Sequence, residues 1–132
     1  MLPDPIVAFL EAPNPAVMSV VRDGDQPVSV ATWYLFLDGA ILVNMLATRK
    51  RLRHIVTGSP VSLTVLADGD WYRHVSLQGR VREIVTDVGH RDANRLSMHY
   101  VGAPHTPRSG KRVSVWVDVT HYHAWRVEAP QA

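Results

Sequence analysis

The sequence predicts a mainly β domain with six or seven mostly antiparallel strands and two or three short helices, closed as a barrel or sandwich. Three observations carry this reading. Short runs of valine, threonine and aromatic residues are separated by turn pairs such as Asp38-Gly39. Val113, Val115, Val117 and Val119 alternate with Ser114, Trp116, Asp118 and Thr120, the period of a strand. Helical periodicity appears only in brief stretches.

The elements follow in order. Asp4-Pro5 reads as an N-cap with proline at the first helical position, opening a short helix to about Glu11 that Pro13 and Pro15 end. Residues 16–21 form a strand, and Arg22-Asp23-Gly24-Asp25 is a turn. A second strand spans 28–36. Val28, Val30, Thr32, Tyr34 and Phe36 share one face, with Ser29, Ala31, Trp33 and Leu35 on the other. Both faces are largely apolar, so both are expected to be covered. Asp38-Gly39 turns the chain into a strand at 40–46.

Residues 49–57 form a short helix with Leu52, Ile55 and Val56 as its buried stripe, stopped by Gly58 and Pro60. Strands at 61–67 and 72–85 flank the turn Asp68-Gly69-Asp70. Asp87 is placed to cap a helix ending at Tyr100, before Gly102. Strands at 112–120 and 123–127 complete the sheet.

The 132 residues make one domain, 1–132, without internal repeats or a linker. A chain this short holds a single core, and a ligand site shared between two subunits is easier to build than a large enclosed pocket. The absence of cysteine excludes disulfides, zinc ribbons and thiol nucleophiles. The N-terminal stretch has neither the basic segment nor the apolar run of a signal peptide, and no run approaches a membrane span. A cytoplasmic protein is expected. The net charge of +2 does not by itself imply nucleic acid.

The most informative segment is Thr48-Arg49-Lys50-Arg51-Leu52-Arg53-His54. Cations at a helix start oppose the macrodipole and repel one another. A bound phosphate reverses the sign of both effects, and arginine matches its oxygens with a planar fork. A solvated basic face and a nucleic-acid patch are the alternatives. His121 and His123 share a strand face without cysteine or an evident third ligand, so no metal site is assigned. His90, His99 and His105 are scattered, and a haem role for them stays open. Arg108, Lys111 and Arg112 border a loop that is either solvated or a clamp for an anionic tail. No nucleophile triad or carboxylate pair is present, so no catalytic residue is assigned.

The segments VSVATWY, ILVNMLATRKRLRHI, VSLQGRVREI and KRVSVWVDVTHYHAW, in this order, resemble the pyridoxamine-phosphate-oxidase-like flavin-binding split β-barrels. They are particularly similar to the branch of F420-dependent oxidoreductases. The resemblance covers residues 8–127. It implies a homodimeric split β-barrel with a cofactor at each end of the interface, F420 or alternatively FMN. It places the phosphate on Lys50 and Arg51, with Arg49 and Thr48 beside them. It lays the ring system along Ser29, Val30, Ala31, Thr32 and Trp33 and near Asn44 and Met45. His74, Gln78 and Trp125 line the site, His74 from the other subunit.

The implied reaction moves a hydride between F420 and a small unsaturated acceptor, the cofactor supplying the chemistry and the protein its orientation. Two departures stand out. Pyridoxamine oxidases continue past the last tryptophan to a substrate-binding arginine, whereas this sequence runs to Ala132, so vitamin B6 oxidation is not expected. His54 stands where many deazaflavin members carry asparagine. The other readings are a non-catalytic flavin or haem carrier and, third, a nucleic-acid-binding module.

Overall fold

The computed structural model describes residues 2–105 and 110–127. Helix α1 (Asp4–Glu11) packs Ile6, Phe9 and Leu10 into the core. Its N-cap position is Pro3, with no side-chain bond, so Asp4 lies inside the first turn and does not cap it. The strands are β1 (Ala16–Arg22), β2 (Gln26–Thr32), β3 (Leu35–Leu37), β4 (Ala40–Leu46), β5 (Pro60–Ala67), β6 (Asp70–Thr86) and β7 (Arg112–Trp125). Helix α2 (Arg91–Val101) crosses between β6 and β7. The sheet order is β2-β1-β5-β6-β7-β4-β3, antiparallel throughout. This is the expected mainly β, split-barrel class. No helix is long and apolar enough to cross a membrane among the described residues.

The hairpin turns form where the sequence demands positive φ. Asp23 and Gly24 have φ of 53° and 87°, and Asp38 and Gly39 have 50° and 80°. Two successive positive φ values match the right-handed twist of the strands they join. The main core gathers alternate residues of β1, β4, β5, β6 and β7, among them Met18, Val43, Leu63, Val65, Leu77 and Val115. The opposite face of β4 carries Leu42 against Leu35 and Leu96, with Trp116 packed on them. Strand β4 is therefore covered on both faces.

Three expectations change. The strand expected over 28–36 breaks at Trp33 and Tyr34, because Tyr34 is buried and its hydroxyl donates to the Leu10 carbonyl at 2.7 Å. What remains, β2, is an edge strand, mostly exposed on both faces within this chain. The strands expected at 112–120 and 123–127 are one, β7, and bulges absorb the mismatch with β6. Gln78 pairs with His121 and Gly79 with Val119, leaving Thr120 as the extra residue. The helix expected over 49–57 is a single 3-10 turn, Lys50–His54. Ile55 is buried and Leu52 partly so, but Val56 is 69% exposed.

Gly79 sits at the bulge where β6 presses on β7. A Cβ there would meet the Asp118 carbonyl oxygen inside contact distance and lie 2.8 Å from Val117 Cγ1. Backbone cannot yield as a flexible side chain can, so Gly79→Ala is expected to lower stability by about 1–3 kcal/mol. Urea unfolding of the two proteins measures this, and an unchanged midpoint would refute the steric account.

Candidate functional site

The basic turn lies against the exposed strand. Lys50, Arg51 and His54 surround a cavity of about 180 Å³ whose other wall is Met18, Val20, Val28, Ser29 and Val30, with Arg22 at its edge. Contacts between β1 and the turn hold the two together. The Arg51 guanidinium is half-buried and donates through Nε to Met45 Sδ at 3.2 Å. Burial, and then the neighbouring Arg49 charge, push its pKa down. No carboxylate lines this cavity, and among the described residues neither Lys50 nor Arg51 makes an ion pair. Arg22 is satisfied locally by Asp23 at 3.5 Å. The hydrogen bond of this half-buried cation goes to a thioether, a weak acceptor that leaves its charge without a counter-charge among the described residues. Since the 3-10 turn is five residues long, that attraction comes from side chains and not from a helix dipole.

A second cavity of about 640 Å³ opens where β2 ends, lined by Pro13, Pro15, Ala31, Thr32, Trp33, Asp68 and Tyr100 among others. Trp33 and Tyr100 are stacked, 5.0 Å between centroids and 4° between planes. Tyr100 is held both as a donor and as an acceptor. Its hydroxyl donates to the Asn14 carbonyl at 2.7 Å and accepts from the Tyr34 N–H at 3.3 Å. Burial pushes the Tyr100 phenol up to about 12, although the Tyr34 N–H acts the other way. Burial, and then Tyr100, push Tyr34 up as well.

Helix α2 is placed by a buried polar network. Asp87 accepts from the N–H groups of Asp92 and Ala93 at 2.9 and 3.0 Å, capping α2 across the intervening 3-10 turn. Its Oδ2 also accepts from Asn44 Nδ2 at 3.0 Å. Asn44 Nδ2 lies 3.1 Å from Ser114 Oγ, and Arg112 Nε donates to Asn44 Oδ1 at 2.6 Å. The Asn44 side chain is thus a tie between β4, β7 and α2. Arg112 belongs to the same network, and Arg108 lies outside the described residues.

The cavities gather some of the sequence-derived candidates and leave others apart. Ser29, Val30, Lys50 and Arg51 meet in the first, and Ala31, Thr32, Trp33 and Asn44 line the second. Thr48 and Arg49 are exposed just before the turn, outside both linings. Met45 is buried beneath Arg51. His74, Gln78 and Trp125 join neither cavity. His74 and Trp125 face each other across β6 and β7, and Gln78 lines a shallow groove of about 400 Å³ with Ser19, Ser62 and His121. The His74 and His123 rings lie 6.3 Å apart. Among the described residues, no group of three or more candidate ligands is placed to hold a metal. Asp68 went unnoticed as a wall residue because its Asp-Gly-Asp setting reads only as a turn.

Comparison with known proteins agrees with this architecture. A family model described as pyridoxamine 5′-phosphate oxidase matches residues 2–126. Three solved structures share the fold. An F420 reductase is similar at 23% identity, covering 92% of this chain and 98% of its own, with a TM-score of 0.82. A FAD-binding protein from Mesorhizobium loti is similar at 23% identity, with 88% of each chain covered and a TM-score of 0.64. A FAD and haem binding protein from Mycobacterium smegmatis is similar at 16% identity, covering 94% of this chain and 71% of that one, with a TM-score of 0.60. No curated protein matches the sequence.

The two phenols carry a pH dependence with a defined sign. Both hold their protons more tightly when folded, so their contribution is fully present below the ordinary tyrosine value of 10.0 and falls as pH rises above it, through about 12 for Tyr100 and further still for Tyr34. Thermal melts between pH 9 and 12, a window chosen roughly from that shift, should show a stability loss that Tyr100→Phe lessens. An identical alkaline profile in the variant would contradict this assignment.

Proposed function

The chain belongs to the pyridoxamine 5′-phosphate oxidase family, a family with a flavin-binding oxidoreductase fold, and on that premise we propose that it is a deazaflavin-dependent oxidoreductase using F420. The observation that carries this reading is the cavity where half-buried Arg51, Lys50 and His54 face Ser29 and Val30 with no carboxylate. Its donors fit a phosphate group by charge and by geometry. Arg51 offers a fork and Lys50 a mobile ammonium, while the Ser29 hydroxyl is paired with Ser19 at 2.6 Å on the opposite sheet face. Thr48 and Arg49, exposed just before the turn, are the further groups that would reach the phosphate.

Strand β2 pairs only with β1, so backbone N–H and C=O groups along its other edge have no strand partner. Such an edge suits the polar rim of a planar ring laid along Ser29, Val30, Ala31, Thr32 and Trp33. When bound, the cofactor supplies hydride transfer to and from a small unsaturated acceptor. The protein fixes the phosphate, orients the ring and excludes water with Trp33 and Tyr100. No side chain is assigned as the acid, and the proton comes from solvent.

The reading includes a homodimer. Residues Ser29, Ser19, Ser62, Gln78 and His121 lie in register across five strands on the sheet face away from the core. Trp71, Tyr72 and Trp125 are 63%, 51% and 50% exposed on the β6–β7 ribbon. A second copy seated on this face would cover these aromatics and bring His74, Gln78 and Trp125 toward its own β2. Light scattering should give twice the chain mass of 14.7 kDa. A monomer at micromolar concentration would remove the shared site.

FMN is the second reading, with the same phosphate cavity; the FAD-binding neighbours support a flavin in general. Titration of apo-protein with F420 and separately with FMN distinguishes the two. Lys50→Ala with Arg51→Ala should weaken the preferred cofactor by about 1.5–3 kcal/mol for each lost contact. Unchanged affinity in the double variant would sink the phosphate assignment, and turnover with a panel of acceptors separates an enzyme from a carrier.

A further inference from the structure

The cavity at the end of β2 differs in kind from the basic one. Pro13 and Pro15 line it together with the Trp33–Tyr100 stack. Trp33 is 43% exposed, so the indole keeps accessible surface beyond its contact with Tyr100. The Tyr100 hydroxyl is already committed to Asn14 and Tyr34. Tyr100 therefore acts as backing for Trp33, a positioning residue with no proton to give.

Asp68 is the one charged residue lining this cavity among the described residues. Its backbone N–H donates to Asn14 Oδ1 at 3.2 Å, which fixes the turn. Its carboxylate makes no ion pair among the described residues. An indole face is an electron-rich surface that attracts cations, and a carboxylate on the same wall adds to the attraction. Along β2 the sign of the site therefore reverses, from Lys50 and Arg51 near Ser29 to Asp68 near Trp33. Four residue steps lead from Ser29 to Trp33, a span of about 13 Å.

We propose that this cavity is the acceptor subsite and selects a planar heteroaromatic ring bearing a positive charge, stacked on Trp33 with its charge toward Asp68. The proposal rests on the oxidoreductase reading for the word acceptor. Ring binding itself needs only the apo-protein.

Three probes of one ring size but different charge isolate the claim: 1-methylnicotinamide (cationic), nicotinamide (neutral) and nicotinate (anionic). Their binding to apo-protein is measured by saturation-transfer NMR titration. The cation is expected to bind about tenfold more tightly than the anion, the factor that corresponds to roughly 1.4 kcal/mol. Asp68→Asn should reduce cation affinity to near that of nicotinamide and leave nicotinamide unchanged. Trp33→Leu should weaken all three probes, and its melting temperature, compared with the wild type, reports whether the fold is kept. If Trp33→Leu does not fold, Asp68→Asn alone decides.

Lys50→Ala with Arg51→Ala should leave the cation unaffected while weakening the cofactor. Equal affinity for cation and anion, selectivity unchanged in Asp68→Asn, or no binding of any probe at about 10 mM, a ceiling near −2.7 kcal/mol, would each overturn the proposal. Ring selectivity without binding of either flavin would keep this subsite and remove the cofactor reading. Flavin binding without ring selectivity would do the reverse.

Discussion

The break between Trp33 and Tyr34 is the constraint on which the rest of the site depends. Tyr34 turns inward and gives its proton to the Leu10 carbonyl, which joins the strand to the end of α1. Its N–H goes to Tyr100, and Tyr100 donates in turn to Asn14. Two phenols thus tie α1, α2, the proline loop and the β2–β3 junction together. A buried phenol without its acceptor costs about 1–3 kcal/mol, so the knot holds only when every bond is made. Because the chain leaves β2 here, β2 pairs with one neighbour and keeps an open edge. The same break turns the Trp33 indole out of the strand and onto Tyr100.

The basic turn packs against β1 and β2 upstream of that break. Arg51 is half-buried there beside Met45, and burial and Arg49 both weaken its hold on the proton. An arginine stays charged under such pressure, so the cost remains in the folded chain until an anion offsets it. The 3-10 turn strengthens the point. A longer helix would add backbone donors and a dipole, whereas five residues leave the side chains to do the binding.

Much of the fold was legible in the sequence because local chemistry dictated it. Asp23-Gly24 and Asp38-Gly39 take the positive φ values that tight hairpins need, and the Val113–Val119 alternation buries Val115 and Val117 as expected. Asp87 does cap α2, although through residues five and six positions on. The misses are tertiary. Nothing local to residues 28–36 says that Tyr34 will prefer the Leu10 carbonyl to a strand position. The bulge at Thr120, which lets one strand serve where two were expected, depends on how Gly79 lets β6 press against Asp118. Of the candidate site, the pairing of Ser29 and Val30 with Lys50 and Arg51 was readable through resemblance. The engagement of Asn44 by Asp87, Ser114 and Arg112 was not, since those partners lie far along the chain.

The strand period also explains why one chain gathers only part of the site. Ser29 and Ala31 share the outer face with Gln78, Ser76 and His74, while Val28 and Val30 point toward the core side that the basic turn covers. Residues on opposite faces of a sheet cannot line one cavity except around its edge. Ser29 and Val30 are neighbours along β2, so both border the same cavity although their side chains leave opposite faces. His74, Gln78 and Trp125 sit three and four strands away from that edge and cannot reach it within one chain. If they act on the ligand, they do so from a second copy, and the outer face that carries them is then the surface on which the copies meet. The proposed dimer and the proposed cofactor site are therefore one geometrical claim for these three residues, while Lys50, Arg51 and Trp33 stand on the single chain.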